Sequence, residues 1–122
     1  MTAGEIYRRA LSYLYDREGR DPEFQRCFPD FLNALLVEAL PCQNSRRAAA
    51  DLPPLTAPEV RAAEDEIDYD DELCALALPY GLAAYFFADE GEDGKAAAYR
   101  ERFIAALSDL SRAAPAESAD CY

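Results

Sequence analysis

Apolar residues recur at steps of three and four along nearly the whole chain, and no segment shows the apolar–polar alternation of a half-buried strand. That periodicity predicts an all-α fold. Thr2 and Glu5 have the spacing of a capping box, and Ile6, Ala10, Tyr13 and Leu14 then define one stripe, so a first helix is expected from Thr2 to Arg17. The Gly and Pro of Glu18-Gly19-Arg20-Asp21-Pro22 end it. From Glu23 to Ala50 the pattern is helical but interrupted. Phe24, Cys27 and Phe28 form one amphipathic turn, Pro29 restarts the helix, and Phe31, Leu32, Leu35, Leu36, Ala39 and Leu40 make the strongest apolar face in the chain. Pro41 is expected to kink or end that helix, with one or two further turns over 44–50.

Asp51 to Pro58, with adjacent Pro53 and Pro54, reads as a stiff extended connector, and Glu59 to Glu66 as a short helix. A third helix from Asp70 to Ala88 carries Leu73, Leu76, Ala77, Tyr80, Ala84 and Phe87 on one face. Pro79 should bend it, and Gly81 with Ala83 and Ala84 keeps it thin enough for a close crossing by another backbone. Leu78, Leu82, Tyr85, Phe86 and Phe87 make it apolar on nearly all sides, which suits a central helix. A turn over 89–94 leads to a fourth helix, Lys95 to Ser111, burying Tyr99, Phe103, Ala106, Leu107 and Leu110. The sum is a four- to five-helix bundle with a kinked central helix, one domain over 1–112, and a flexible tail over 113–122.

The net charge of −12 is concentrated. Residues 62–94 hold 11 acids and no Lys or Arg, whereas 1–61 carry 8 basic and 9 acidic residues and 95–122 carry 4 of each. Such a field repels phosphates, so specific nucleic-acid binding is not expected. The longest apolar stretch, Leu73 to Ala88, is broken by Pro79, Tyr80 and Gly81 and is too short to span a bilayer. The start of the chain has no basic, apolar leader pattern, so a cytoplasmic location is expected.

The chain contains no histidine, which removes the usual base for a Ser or Cys nucleophile and the usual partner of Cys in a zinc site. Cys27, Cys42, Cys74 and Cys121 form no Cys-x-x-Cys pair and read as free thiols. Asp89-x-Gly91-x-Asp93-Gly94 imitates the start of a calcium loop, but the third position is Gly91 and the twelfth is Arg100, where a bidentate Glu is needed. Asp68-x-Asp70-x-Glu72 lacks the central Gly, and acids there complement a helix N-terminus. No catalytic residue, metal or cofactor is therefore assigned, and the chain reads as non-enzymatic. Among the tyrosines, Tyr13, Tyr80 and Tyr99 fall on core stripes. Tyr7, Tyr15 and Tyr85 fall off them, where subunit contacts favour amphipathic rings as much as partial burial does.

Ile67-Asp68-Tyr69-Asp70-Asp71-Glu72-Leu73, Ala77-Leu78-Pro79-Tyr80-Gly81-Leu82-Ala83-Ala84, Asp89-Glu90-Gly91-Glu92-Asp93 and Tyr99-Arg100-Glu101-Arg102-Phe103 follow one another in an order that resembles the second half of small head–tail connector (adaptor) proteins of tailed phages. Phe31-Leu32-Asn33-x-Leu35-Leu36-x-Glu38 is similar to prophage proteins, and the likeness runs over about residues 24–110. It implies a structural subunit that meets the portal and tail-completion proteins, joins a ring of copies and extends the DNA channel. The host cytoplasm, and the virion of an active phage, would be its location. The assembly surface would comprise Glu64, Asp65, Glu66, Asp68, Asp70, Asp71 and Glu72 with Pro79, Gly81 and Tyr85 of the kinked helix. Two other readings stand beside it: an acidic mimic of DNA that inhibits a DNA-binding protein, and a bacterial helical adaptor.

Overall fold

The computed structural model describes residues 1–14 and 21–112. It is an all-α bundle: α1 (Ala3–Tyr13), α2 (Pro22–Ala49), α3 (Asp71–Leu76), α4 (Leu78–Asp89) and α5 (Asp93–Arg112). Among the described residues the only extended pairing is an isolated bridge between Thr2 and Glu66. The expected mobile tail, Tyr15, Cys121 and the end of the expected first helix lie outside the described residues.

The capping box forms as its spacing predicts. The Thr2 hydroxyl accepts from the Glu5 N–H, and the Glu5 carboxylate accepts from the Thr2 N–H. The next orphan donors of α1 are satisfied from far away: Ala3 N–H donates to the Asp65 carbonyl at 2.9 Å and Gly4 N–H to the Ala63 carbonyl at 2.7 Å. A Cβ on Gly4 would stand 3.0 Å from that Ala63 oxygen, so the close approach depends on glycine. The short helix expected over 59–66 does not form. Its carbonyls cap α1 instead, and Asp65 Oδ2 draws the Arg61 and Ala62 N–H groups into a turn at 2.8 and 3.0 Å.

Helix α2 runs on through Pro29 and Pro41, so of the two outcomes expected at Pro41 the helix does not end there. A proline inside a helix costs about 3 kcal/mol. The turns beyond Pro41 offset that cost by burying Cys42 and by bringing Gln43 and Arg46 onto hydrogen-bond partners in the strap and α5. The carbonyl that Pro41 leaves without a donor belongs to Val37, a residue 63 % exposed, so water can reach it. The expected central helix is divided at Ala77 into α3 and α4, with Pro79 in the first turn of α4, where a missing N–H does least harm. Leu76 ends up 55 % exposed, because the break takes it off the face that α4 buries.

Helix α4 is central: Leu78, Pro79, Gly81, Leu82, Ala83, Ala84, Phe86 and Phe87 are all buried, and it packs on α1, α2, α3 and most extensively on α5. Helix α5 runs parallel to α2: Arg100 pairs with Glu38, Cys42 Sγ–H donates to the Leu107 carbonyl, and Arg46 donates to the Leu110 carbonyl.

Candidate assembly surfaces

The acidic segment is a strap laid across α2 and the start of α1. Side-chain amides of α2 hold the connector leading into it. Asn44 bonds both backbone groups of Leu55 (3.0 and 2.8 Å), and Asn33 does the same for Val60. Gln43 Oε1 accepts the Asp70 N–H at 2.9 Å, Arg47 Nε donates to the Pro53 carbonyl, and the buried Tyr69 hydroxyl donates to the Leu36 carbonyl at 2.6 Å. These polar groups of α2 thus play the part of a neighbouring strand for an extended chain.

The strap's acids divide by position. Arg46 is buried; its Nε lies 2.7 Å from Asp70 Oδ2, one Nη is 3.2 Å from Glu72 Oε1, and the other donates to the Leu110 carbonyl at 3.0 Å. Asp65 is engaged by the turn, whose N–H groups hold its carboxyl below the usual range. The Met1 amino group lies 3.3 Å from Glu66 and 3.7 Å from Asp71. Glu64 and Asp68 are exposed with no ion pair among the described residues. Five of the seven acids assigned to an assembly surface, Asp65, Glu66, Asp70, Asp71 and Glu72, therefore make hydrogen bonds or ion pairs within the chain.

Pro79 and Gly81 are buried within the chain. A Cβ on Gly81 would stand 2.5 Å from Leu35 Cδ2 and 3.0 Å from a Phe103 ring carbon, so the small residue serves the α2–α4–α5 crossing. Its edge, with Ala84, Tyr85 and Ala88 of α4 and Ala96, Ala97 and Arg100 of α5, also lines an open groove of about 350 Å³. The groove is apolar apart from Arg100, whose guanidinium is clamped by both carboxylate oxygens of Glu38 and holds that carboxyl below its usual range. Phe31 stacks on Tyr85 with ring centroids 4.9 Å apart and fixes one wall. The structure thus brings Gly81 and Tyr85 together at one surface and sets the acidic strap apart from it.

Sequence reasoning placed Tyr7 off the buried stripe, but it is core: it stacks on Phe28 at 4.4 Å. Leu11 and Val60 are buried too and were not singled out. Arg46 was missed as a functional cation. Its only local signal was a basic residue near a helix C-terminus, while its partners are 24 to 64 residues away. Cys42 and Cys74 are buried free thiols and Cys27 is a half-buried one; burial pushes the Cys74 thiol up to about 12. Among the described residues no group of three or more acids and cysteines is placed to hold a metal ion, and no helix is long and apolar enough to cross a membrane. Comparison with protein-family models, curated proteins and solved structures returns no match to this chain.

Proposed function

We propose that the chain is a structural subunit of protein assembly, and specifically a head–tail connector of a tailed phage or prophage that meets the portal and the tail-completion proteins. The α4–α5 groove carries this reading. Its floor of Gly81, Ala84, Ala88, Ala96 and Ala97 leaves room for side chains of another protein, and Tyr85 and Arg100 on its walls are residue types that anchor interfaces. Val37 and Ile104, 63 % and 49 % exposed, add apolar surface on α2 and α5. The acids that remain free would keep DNA from adhering as it passes. The host cytoplasm, and the virion after assembly, are the locations this reading implies. The rival reading as a DNA mimic draws less support, because Asp65, Asp70 and Glu72 are committed to bonds within the chain.

Binding of the full chain to a purified portal ring is the test. Association is expected, and Ala88→Glu with Ala97→Glu, both at exposed positions, should weaken it at least about tenfold, or 1.4 kcal/mol, while the fold is kept. No association of the unaltered chain at low salt would overturn the reading.

A further inference from the structure

A second surface lies on another side of the α4–α5 pair. Tyr13 of α1, Tyr80 of α4 and Tyr99 of α5 form a triangle of half-buried rings, with centroids 5.1, 5.4 and 6.1 Å apart. The Arg102 guanidinium lies 4.7 Å from the Tyr99 ring and 6.0 Å from the Tyr80 ring. Arg9 stands one helical turn before Tyr13 on α1. Both arginines are exposed, and neither has an ion pair among the described residues. Helical spacing puts Tyr99 and Arg102 on a different side of α5 from Ala96, Ala97 and Arg100 of the groove.

Tyrosine and arginine offer large contact area with a polar end, which is why they dominate binding at interfaces. A surface of rings flanked by two cations with no ion pair among the described residues calls for an acidic counterpart, and a chain of net charge −12 supplies one in its own strap. Glu64 and Asp68 are exposed there, with no ion pair among the described residues. Within one copy the strap is tied through Ala63 and Asp65 to the first turn of α1, whereas Tyr13 lies in the last. Ala3 and Tyr13 are about 15 Å apart along the helix axis, which favours the strap of a second copy.

We propose that the patch of Arg9, Tyr13, Tyr80, Tyr99 and Arg102 docks the acidic strap of a second copy of this chain, with Glu64 and Asp68 facing the two arginines. This rests on the assembly reading and supplies it with a self-contact. Because the two surfaces differ, the contact is head-to-tail, and its repetition closes a ring or runs on as a filament.

Sedimentation equilibrium of the full chain at about 0.02 M and about 0.5 M salt tests it. Concentration-dependent association is expected at low salt and should weaken at least tenfold at high salt. The double variants Arg9→Glu/Arg102→Glu and Glu64→Lys/Asp68→Lys should each be monomeric, with helicity and melting retained because all four positions are exposed. Mixed in equal amounts they should associate again, because the intact strap of the first meets the intact patch of the second and the two reversed surfaces are complementary in turn. The contact is refuted if the unaltered chain stays monomeric up to about 1 mM at low salt, if either variant associates like the unaltered chain, or if the mixture stays monomeric. Portal binding separates the two ideas: lost self-association with portal binding kept removes only this contact, and the reverse removes only the connector reading.

Discussion

Asn33 holds Val60 by both of its backbone groups, donating from Nδ2 to the carbonyl at 2.9 Å and accepting the N–H on Oδ1 at 2.7 Å. Val60 is buried, so losing this amide strands two polar groups away from water. Asn33→Leu should cost about 2–3 kcal/mol of stability, and Asn33→Asp, which keeps the acceptor alone, somewhat less. Urea titration gives the magnitude. Hydrogen exchange should show faster exchange of the Val60 amide in Asn33→Leu and largely kept protection in Asn33→Asp, whose acceptor remains.

Arg46 and its two carboxylates are unequal partners. Asp70 and Glu72 have side chains 40 % and 65 % exposed, whereas the guanidinium is 7 % exposed. Replacing Asp70 by Asn leaves a buried cation short of its nearest charge and should cost about 2 kcal/mol, less than for a fully buried pair. Glu72→Gln should stay within about 1 kcal/mol. Equal effects in thermal unfolding would contradict this ranking.

Gly81→Ala sets two effects against each other. Helix propensity favours Ala by about 1 kcal/mol, but the new Cβ would meet the fully buried Leu35 and Phe103 side chains. Overpacking should win, with a net loss of about 1–2 kcal/mol, and Gly81→Val should lose more. If Gly81→Ala raises the melting temperature, the crossing is looser than described.

Burial raises Cys74 from its ordinary 9.0, and Tyr69 from its ordinary 10.0, to about 12. Both groups hold their protons more tightly when folded, so their contribution is complete below the unfolded values and is lost as pH rises from 9.0 towards about 12. Stability should fall across that window, and Cys74→Ala should lessen the fall even though it lowers stability at neutral pH. At the acid end, Glu5, Glu38 and Asp65 sit below their usual range, so their contribution, present above the unfolded carboxylate values, is lost as pH falls through the lower folded ones. Denaturant midpoints measured across pH check both arms.

The helices were legible because their signals are local. The Thr2–Glu5 box lies within one turn, and the stripes of α2 and α5 repeat often enough to survive two prolines. What sequence reasoning misplaced depends on distant partners. Pro41 by its own chemistry should kink or end a helix, and the helix does not end here because Gln43 and Arg46 are fastened to the strap and hold the following turns in register. The segment 59–66 has helical composition, but its carbonyls meet the stronger demand of bare donors at α1. The candidate surface was legible only in part. Gly81 and Tyr85 do share a groove, whereas spacing alone could not tell Asp70, bound to Arg46, from Asp68, which faces solvent.

One guanidinium touches the carbonyl at Leu110 and the carboxylate at Asp70 together, so the far end of the last helix and the beginning of the third share a single knot. Shortening the chain to before Leu110 would therefore loosen more than a helix end. The strap would lose the anchor that orients Arg46, and through Ala63 and Asp65 the slack would reach the opening turn of the molecule. Its first and last helices are thus linked through the strap.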